Sequence, residues 1–115
     1  MVINMQDLLQ EIQSKTKQLD LSIKQLRKSG TDYAEKERKY KILLRQECLK
    51  LRDEGMAIGM IDKTCHGIQS VADARFERDV AESVYKANLE AINSIKLQLR
   101  IIENQIQREW GNNGL

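Results

Sequence analysis

Few residues of this chain could perform covalent or metal chemistry: it contains two cysteines and a single histidine. Cys65 and His66 are adjacent, and neighbouring side chains are poorly placed to share a metal ion or to form a nucleophile–base pair. Zinc sites need four ligands, usually with CxxC or HxxxH spacing, and Cys48 supplies only one more thiol. We therefore expect two small buried thiols and a histidine near a turn, with no metal, no cofactor and no enzyme active site.

A basic segment is the strongest candidate for a binding site. Positions 24–52 contain ten basic and four acidic residues, whereas the whole chain has a net charge of only +2. Such a row of cations could contact the phosphates of a nucleic acid. We favour pairing between a basic and an acidic helix face, because the remainder of the chain is acidic. The candidate surface for a partner or nucleic acid comprises Lys24, Arg27, Lys28, Lys36, Glu37, Arg38, Lys39, Lys41, Arg45, Lys50 and Arg52.

The composition indicates which elements must hold these residues. The 115 residues fit one small domain, with 31% charged residues, 4% aromatic residues and no proline. So few aromatic residues would not fill the core of a typical β-sandwich or barrel. Abundant leucine, lysine, glutamate and arginine without proline favours long helices. We predict a single all-α domain over 1–115.

The first half of the chain follows a continuous heptad pattern. Its positions alternate in steps of three and four residues, which is typical of a supercoiled helix. Asn4 is a suitable N-cap, and we predict one long helix over 4–53. Its seam, meaning the positions that face another helix, is Met5, Leu9, Ile12, Thr16, Leu19, Ile23, Leu26, Gly30, Tyr33, Glu37, Tyr40, Leu44, Glu47 and Leu51.

Gly30 is a weak point of this helix. It could end one helix, with Asp32 and Glu35 capping the next. We favour a continuous helix, because the heptad phase passes through Gly30 without a slip. Glu37 also occupies a seam position, so we expect it to face a basic residue of another helix or a partner. Replacing Gly30 by Ala and Glu37 by Leu is expected to raise the melting temperature.

Segment 54–69 is predicted to connect two long helices. It holds three of the six glycines, and Gly55 and Gly67 bracket a short helix over 57–65. A helix-turn-helix that reads DNA would have a similar outline. The second helix would offer few polar groups, however, so we favour a cap at one end of a helical hairpin.

The second long helix is predicted over 70–110. Ser70 is its expected N-cap, Gly111 its expected stop, and 111–115 a frayed tail. The predicted seam is Val80, Val84, Asn88, Ile92, Ile95, Leu99, Ile102, Ile106 and Trp110.

Two long helices with a short connection make an antiparallel, coiled-coil-like hairpin. Two helices alone cannot cover every apolar residue, so we expect a dimer or larger bundle to bury the rest. The apolar residues that lie off both predicted seams are Leu8, Leu21, Leu89, Leu97 and Ile101.

The sequence shows neither a signal peptide nor a transmembrane segment, so we expect a cytosolic protein. The first residues lack the basic and apolar regions of a signal peptide, and no apolar run approaches the ~20 residues of a transmembrane helix. We expect no membrane contact, a cytoplasmic location and reduced cysteines.

Several segments resemble small helical early-region proteins of phages and prophages of Gram-positive bacteria, a mostly uncharacterised family. The resemblance covers positions 8–111 and implies a gene expressed early, near replication and recombination functions, in the host bacterial cytosol. It supplies no active-site residue. The segments are Tyr33–Glu37, Leu51–Met56, Ile61–Lys63, Arg78–Glu82, Ile92–Leu97 and Glu103–Gln105.

Two functions follow as hypotheses. The first is a non-enzymatic interaction protein that binds and modulates a host or phage protein, including a component of a bacterial defence system. The second is an accessory protein of phage replication or recombination that binds nucleic acid through the basic segment.

Overall fold

The computed structural model describes residues 4–113, and these form helices without any strand. The prediction of an all-α chain is confirmed. The helices are α1 (Met5–Asp53), α2 (Ile58–His66) and α3 (Gln69–Asn113).

Contacts between residues divide the chain into two units. The turn unit is Lys28–Lys86 and contains the end of α1, all of α2 and the start of α3. The terminal unit is formed by 4–27 of α1 and 87–113 of α3. Within each unit the two long helices run antiparallel.

The ends of α1 follow from local hydrogen bonds. At its start, the backbone N–H of Asp7 donates to Oδ1 of Asn4 over 2.9 Å, which is the predicted N-cap. The helix then passes through Gly30 without a break. At its end, Gly55 has φ +90°, a left-handed conformation that suits glycine. The bonds from Gly55 N–H to Arg52 O and from Met56 N–H to Leu51 O complete a Schellman motif.

The short helix α2 lies one residue later than the predicted 57–65. Its first turn is closed by the bond from Met60 N–H to Ala57 O over 2.9 Å. Gly67 remains right-handed at φ −86°, so the chain turns tightly out of α2. The connection is therefore helical, as predicted.

Helix α3 extends further than the predicted 70–110 at both ends. Ser70 lies inside the helix and is not its N-cap, because Ile68 already accepts a backbone hydrogen bond from Ala72 over 2.9 Å. Gly111 does not stop the helix, which runs on to Asn113. A glycine ends a helix by adopting positive φ, and among the described glycines only Gly55 does so. The last two residues of the predicted tail lie outside the described range.

The core of the turn unit is an apolar cluster to which all three helices contribute. Helix α1 provides Tyr40, α2 provides Cys65, and α3 provides Val71 and Ala74, all of which are buried. Partly buried apolar side chains pack around these four. They are Leu43, Leu44, Cys48, Leu51 and Ile68.

The seam of α3 in the turn unit differs from the prediction. Val80 and Val84 are exposed, whereas Ala81 is buried. Arg78 fills a seam position because its guanidinium lies 4.7 Å from the ring centroid of Tyr40. The seam here thus consists of small, aromatic and cationic residues, which an apolar pattern does not reveal. Its members are Val71, Ala74, Arg78, Ala81 and Tyr85.

The terminal unit is held by a few buried aliphatic residues. Leu8, Ile92 and Ile102 are buried, and Asn88 Nδ2 donates across the helices to the carbonyl of Gln25 over 3.4 Å. The prediction for the first turn was wrong at two positions: Leu8 is fully buried, and Leu9, assigned to the seam, is exposed.

Of the apolar residues predicted to lie off both seams, three others are exposed and one is half-buried. Leu21, Leu97 and Ile101 are exposed, whereas Leu89 is half-buried. Trp110, which was assigned to the seam of α3, is also exposed. Ile95 and Leu99 are half-buried rather than fully buried.

Candidate functional site

All eleven residues of the predicted surface lie on α1. In the terminal unit, Lys24 and Arg27 are exposed. In the turn unit, Lys36 and Glu37 are half-buried and the other members are exposed. These exposed members are Lys28, Arg38, Lys39, Lys41, Arg45, Lys50 and Arg52.

Three lysines of this surface are partly neutralised by carboxylates. Lys39 Nζ lies 3.4 Å from Oε2 of Glu77 and so links α1 to α3. Two further ion pairs lie within α1, Lys41 with Glu37 at 3.6 Å and Lys50 with Glu47 at 3.1 Å. These lysines retain less positive charge for an external partner than the sequence suggests.

Three arginines behave differently. Arg38, Arg45 and Arg52 are exposed, and no ion pair among the described residues includes them. They are seven residues apart, so they follow one line of α1 at intervals of about 10.5 Å. Ile42 and Leu49 lie between them and are 52% and 43% exposed. We call these five residues the Arg–apolar strip.

A shallow depression lies beside the first two residues of this strip, Arg38 and Ile42. It is open to solvent, and all its lining residues belong to α1. Leu43, one of its lining residues, is partly buried against the core cluster. Its lining combines cationic, acidic, amide and aliphatic side chains. Its lining is Glu35, Lys36, Arg38, Lys39, Ile42, Leu43 and Gln46.

Glu37 faces the interior of the turn unit more than the outer surface. Besides its ion pair with Lys41, its charge raises the pKa of Arg78 on α3, although the hydrogen bond from Arg78 to Asp79 contributes more. Desolvation raises the pKa of Tyr33, and Glu37 adds to this effect. Glu37 thus belongs to the electrostatics of the helix pair, and it is not part of the Arg–apolar strip.

Helix α3 carries its own exposed apolar ridge in the turn unit. Phe76, Val80 and Val84 are exposed and spaced four residues apart, so they form one continuous row. Glu77, the partner of Lys39, lies beside this row. The ridge contains two valines that the apolar pattern had assigned to the seam.

Helix α2 presents apolar side chains to solvent at the end of the turn unit. Ile58 and Met60, near its start, are strongly exposed, whereas Cys65, near its end, is buried in the core cluster. Asp62 and Lys63 are exposed. Helix α2 therefore packs against the cluster through Cys65, and its role as an end cap stays a prediction.

Cys65 and His66 make separate contacts, each with a different backbone carbonyl. His66 Nδ1 lies 2.7 Å from the carbonyl of Asp62, within its own helix. The Cys65 thiol donates to the carbonyl of Leu44 over 3.4 Å. Burial and contact with Cys48 raise the pKa of the Cys65 thiol to about 12, which disfavours the nucleophilic thiolate. Among the described residues, no cluster of three or more metal-binding side chains occurs.

Sequence reasoning identified the charges of the strip and missed its apolar members. Positions 38, 42, 45, 49 and 52 follow their own alternation of four and three residues, parallel to the seam. A second heptad pattern on one helix indicates a second face with a partner. That signal is readable from the sequence, but the stronger seam pattern hides it.

Comparison with protein-family models, curated proteins and solved structures found no match for this chain. Within 4–113, none of the helices combines the length and the apolar character that a bilayer crossing requires.

Proposed function

We propose that this chain is a non-enzymatic interaction protein that binds and modulates a host or phage protein. The proposed targets include components of a bacterial defence system. The proposal includes the cytosol of the bacterial host as the place of action, in line with the resemblance to phage early-region proteins. The observation that carries the proposal is the Arg–apolar strip, in which unpaired arginines alternate with exposed aliphatic side chains.

The chemistry of the strip favours one class of partner. Arginine and exposed aliphatic residues at helical spacing favour an amphipathic helix laid along α1, with apolar anchors between acidic residues. Carboxylates of the partner would pair with Arg38, Arg45 and Arg52, giving orientation and a faster association rate. The apolar contacts of Ile42 and Leu49 would contribute most of the affinity, since central buried side chains dominate such interfaces.

A capture experiment with two charge-reversal variants tests this proposal. The full chain is used as bait in host cells, with and without nuclease. Arg38→Glu with Arg45→Glu disrupts the strip, and Arg100→Glu with Arg108→Glu makes the same change at exposed positions of α3. We expect one partner protein that resists nuclease and is retained by the control variant alone. Capture that survives in the strip variant would contradict the proposal.

Nucleic-acid binding is the second candidate, and the same three arginines favour it. Cations spaced about 10.5 Å apart on one helix line can each reach a backbone phosphate. For the logarithm of the binding constant against the logarithm of salt concentration, three such contacts predict a slope of about −2.7 with double-stranded DNA and about −2.1 with single-stranded DNA. A gel shift with single- and double-stranded DNA at several salt concentrations measures it. Arg45→Gln should reduce that slope by about one.

We also propose that the chain self-associates, with a dimer as the simplest assembly. Among the described residues, eight apolar side chains are buried, whereas twelve large ones are exposed. Burying part of that exposed area would stabilise a bundle, since apolar burial is the main driving force of association. Light scattering at micromolar concentration should give about twice the chain mass of 13.3 kDa. The mass of a single chain would rule the assembly out.

A further inference from the structure

Cys48 of α1 and Cys65 of α2 lie together in the core cluster of the turn unit. The Cys65 Sγ atom is 3.4 Å from the carbonyl oxygen of Leu44, which is one helical turn before Cys48. Cys48 packs, partly buried, against the same cluster in which Cys65 is buried. Two cysteines from different helices therefore belong to one packed cluster, and both are free.

The two thiols differ in access. Cys65 is fully buried, whereas Cys48 is partly exposed and can meet a small reagent from solvent. The charged groups that act on Cys65 are Glu47 from α1 and Asp62 from α2, and both disfavour its thiolate. Helix α3 contributes the apolar Val71 to this cluster. Cys48 is thus the expected entry point for an oxidant, and Cys65 the resolving thiol.

We propose that Cys48 and Cys65 form a reversible intramolecular disulfide that fastens α2 to α1. The oxidant is a small disulfide such as oxidised glutathione. The Cys48 thiolate attacks one sulfur of that disulfide, forming a mixed disulfide and releasing one glutathione thiolate, which takes up a proton. The Cys65 thiol loses its proton to solvent and attacks Sγ of Cys48, releasing the second glutathione. Two protein thiols are oxidised, and one small disulfide is reduced to two thiols.

The closed disulfide would restrain the connection between α1 and α3. The segment 49–64 includes the Gly55 turn and most of α2, and it would become a closed loop. Cross-linking removes conformations from the unfolded chain, so the oxidised protein should be more stable. The exposed pair Ile58 and Met60 would then be presented on a fixed α2. This inference rests on the thiol geometry and is independent of the Arg–apolar strip.

Oxidation of the full-length protein tests the proposal. The wild type is incubated with oxidised glutathione, and its intact mass and its peptides are measured without reduction. We expect a mass lower by two hydrogen atoms, a peptide joining Cys48 to Cys65, and a melting temperature higher by roughly 5 °C or more. A phosphine reductant should restore the original mass and melting temperature.

Two variants identify the order of steps. Cys65→Ser should retain glutathione on Cys48 as a stable mixed disulfide, and Cys48→Ser should remain unmodified, because Cys65 is buried. A wild type that keeps a glutathione adduct, stays fully reduced or forms only disulfides between chains would overturn the proposal. Because these readouts use wild-type protein, they do not depend on whether either variant folds.

Discussion

Gly30 of α1 lies directly against the ring of Tyr85 on α3. A Cβ atom placed on Gly30 would be 3.3 Å from Cε2 of Tyr85, which is closer than ordinary van der Waals contact. The Tyr85 ring is also packed against Tyr33, with ring centroids 5.9 Å apart. Glycine in the middle of a long helix costs intrinsic helix stability, and here the close approach of an aromatic ring from the facing helix explains it.

Gly30→Ala should therefore destabilise the protein by about 1 kcal/mol, since crowding of a packed ring outweighs the gain in helix propensity. This revises the expectation from sequence that alanine would be stabilising. In a Tyr85→Leu background the ring is gone, and the same change should be stabilising. Urea unfolding of the four proteins measures the coupling. An equal stabilisation in both backgrounds would show that the contact is unimportant.

The phase of α3 can be tested with one substitution at two positions. Val71→Ala removes a fully buried side chain and should cost about 1–2 kcal/mol of unfolding free energy. Val80→Ala changes an exposed position and should cost nothing measurable, because alanine is the better helix former. Thermal and urea unfolding give both values. A larger loss at Val80 than at Val71 would restore the seam inferred from apolar spacing alone.

Local signals in the sequence were sufficient for much of the fold. The heptad phase correctly kept α1 continuous through Gly30, and the Asn4 cap is formed. The predicted seam of α3 was wrong where Arg78 and Ala81 face α1. Val80 and Val84, which had been assigned to the seam, are exposed to solvent. Arginine can occupy such a position because Tyr40 accepts its cation on the ring face. That contact depends on the facing helix and cannot be read from α3 by itself.

The candidate site was also predicted only in part from the sequence. The basic character of 24–52 was evident from composition, but Lys39 turned out to be paired with Glu77 of α3. Such pairing depends on which positions face each other, so sequence counts overstate the available charge. The distinction between paired lysines and unpaired arginines required the structure, whereas the apolar members Ile42 and Leu49 could have been found from their spacing.

The buried thiol predicts alkaline instability. The pKa of Cys65 is raised from 9.0 to about 12 by burial first, and by contact with Cys48 second. A group with a raised pKa in the folded state contributes its full stability below pH 9 and loses it as pH rises toward 12. Relative to Cys65→Ala, the reduced wild type should lose up to about 1.4 kcal/mol per pH unit above 9. Urea unfolding at several pH values measures this, and a constant difference would contradict it.

Binding through the Arg–apolar strip is tested most directly by titrating the captured partner with two matched double variants. Ile42→Ala with Leu49→Ala removes the apolar anchors of the strip, which are 52% and 43% exposed. Leu97→Ala with Ile101→Ala removes similar side chains of α3, each 53% exposed. Calorimetry should show an affinity at least about tenfold weaker for the strip variant and unchanged for the control, since buried anchors cost more than 1 kcal/mol on truncation. Equal affinities for the two variants would contradict the account.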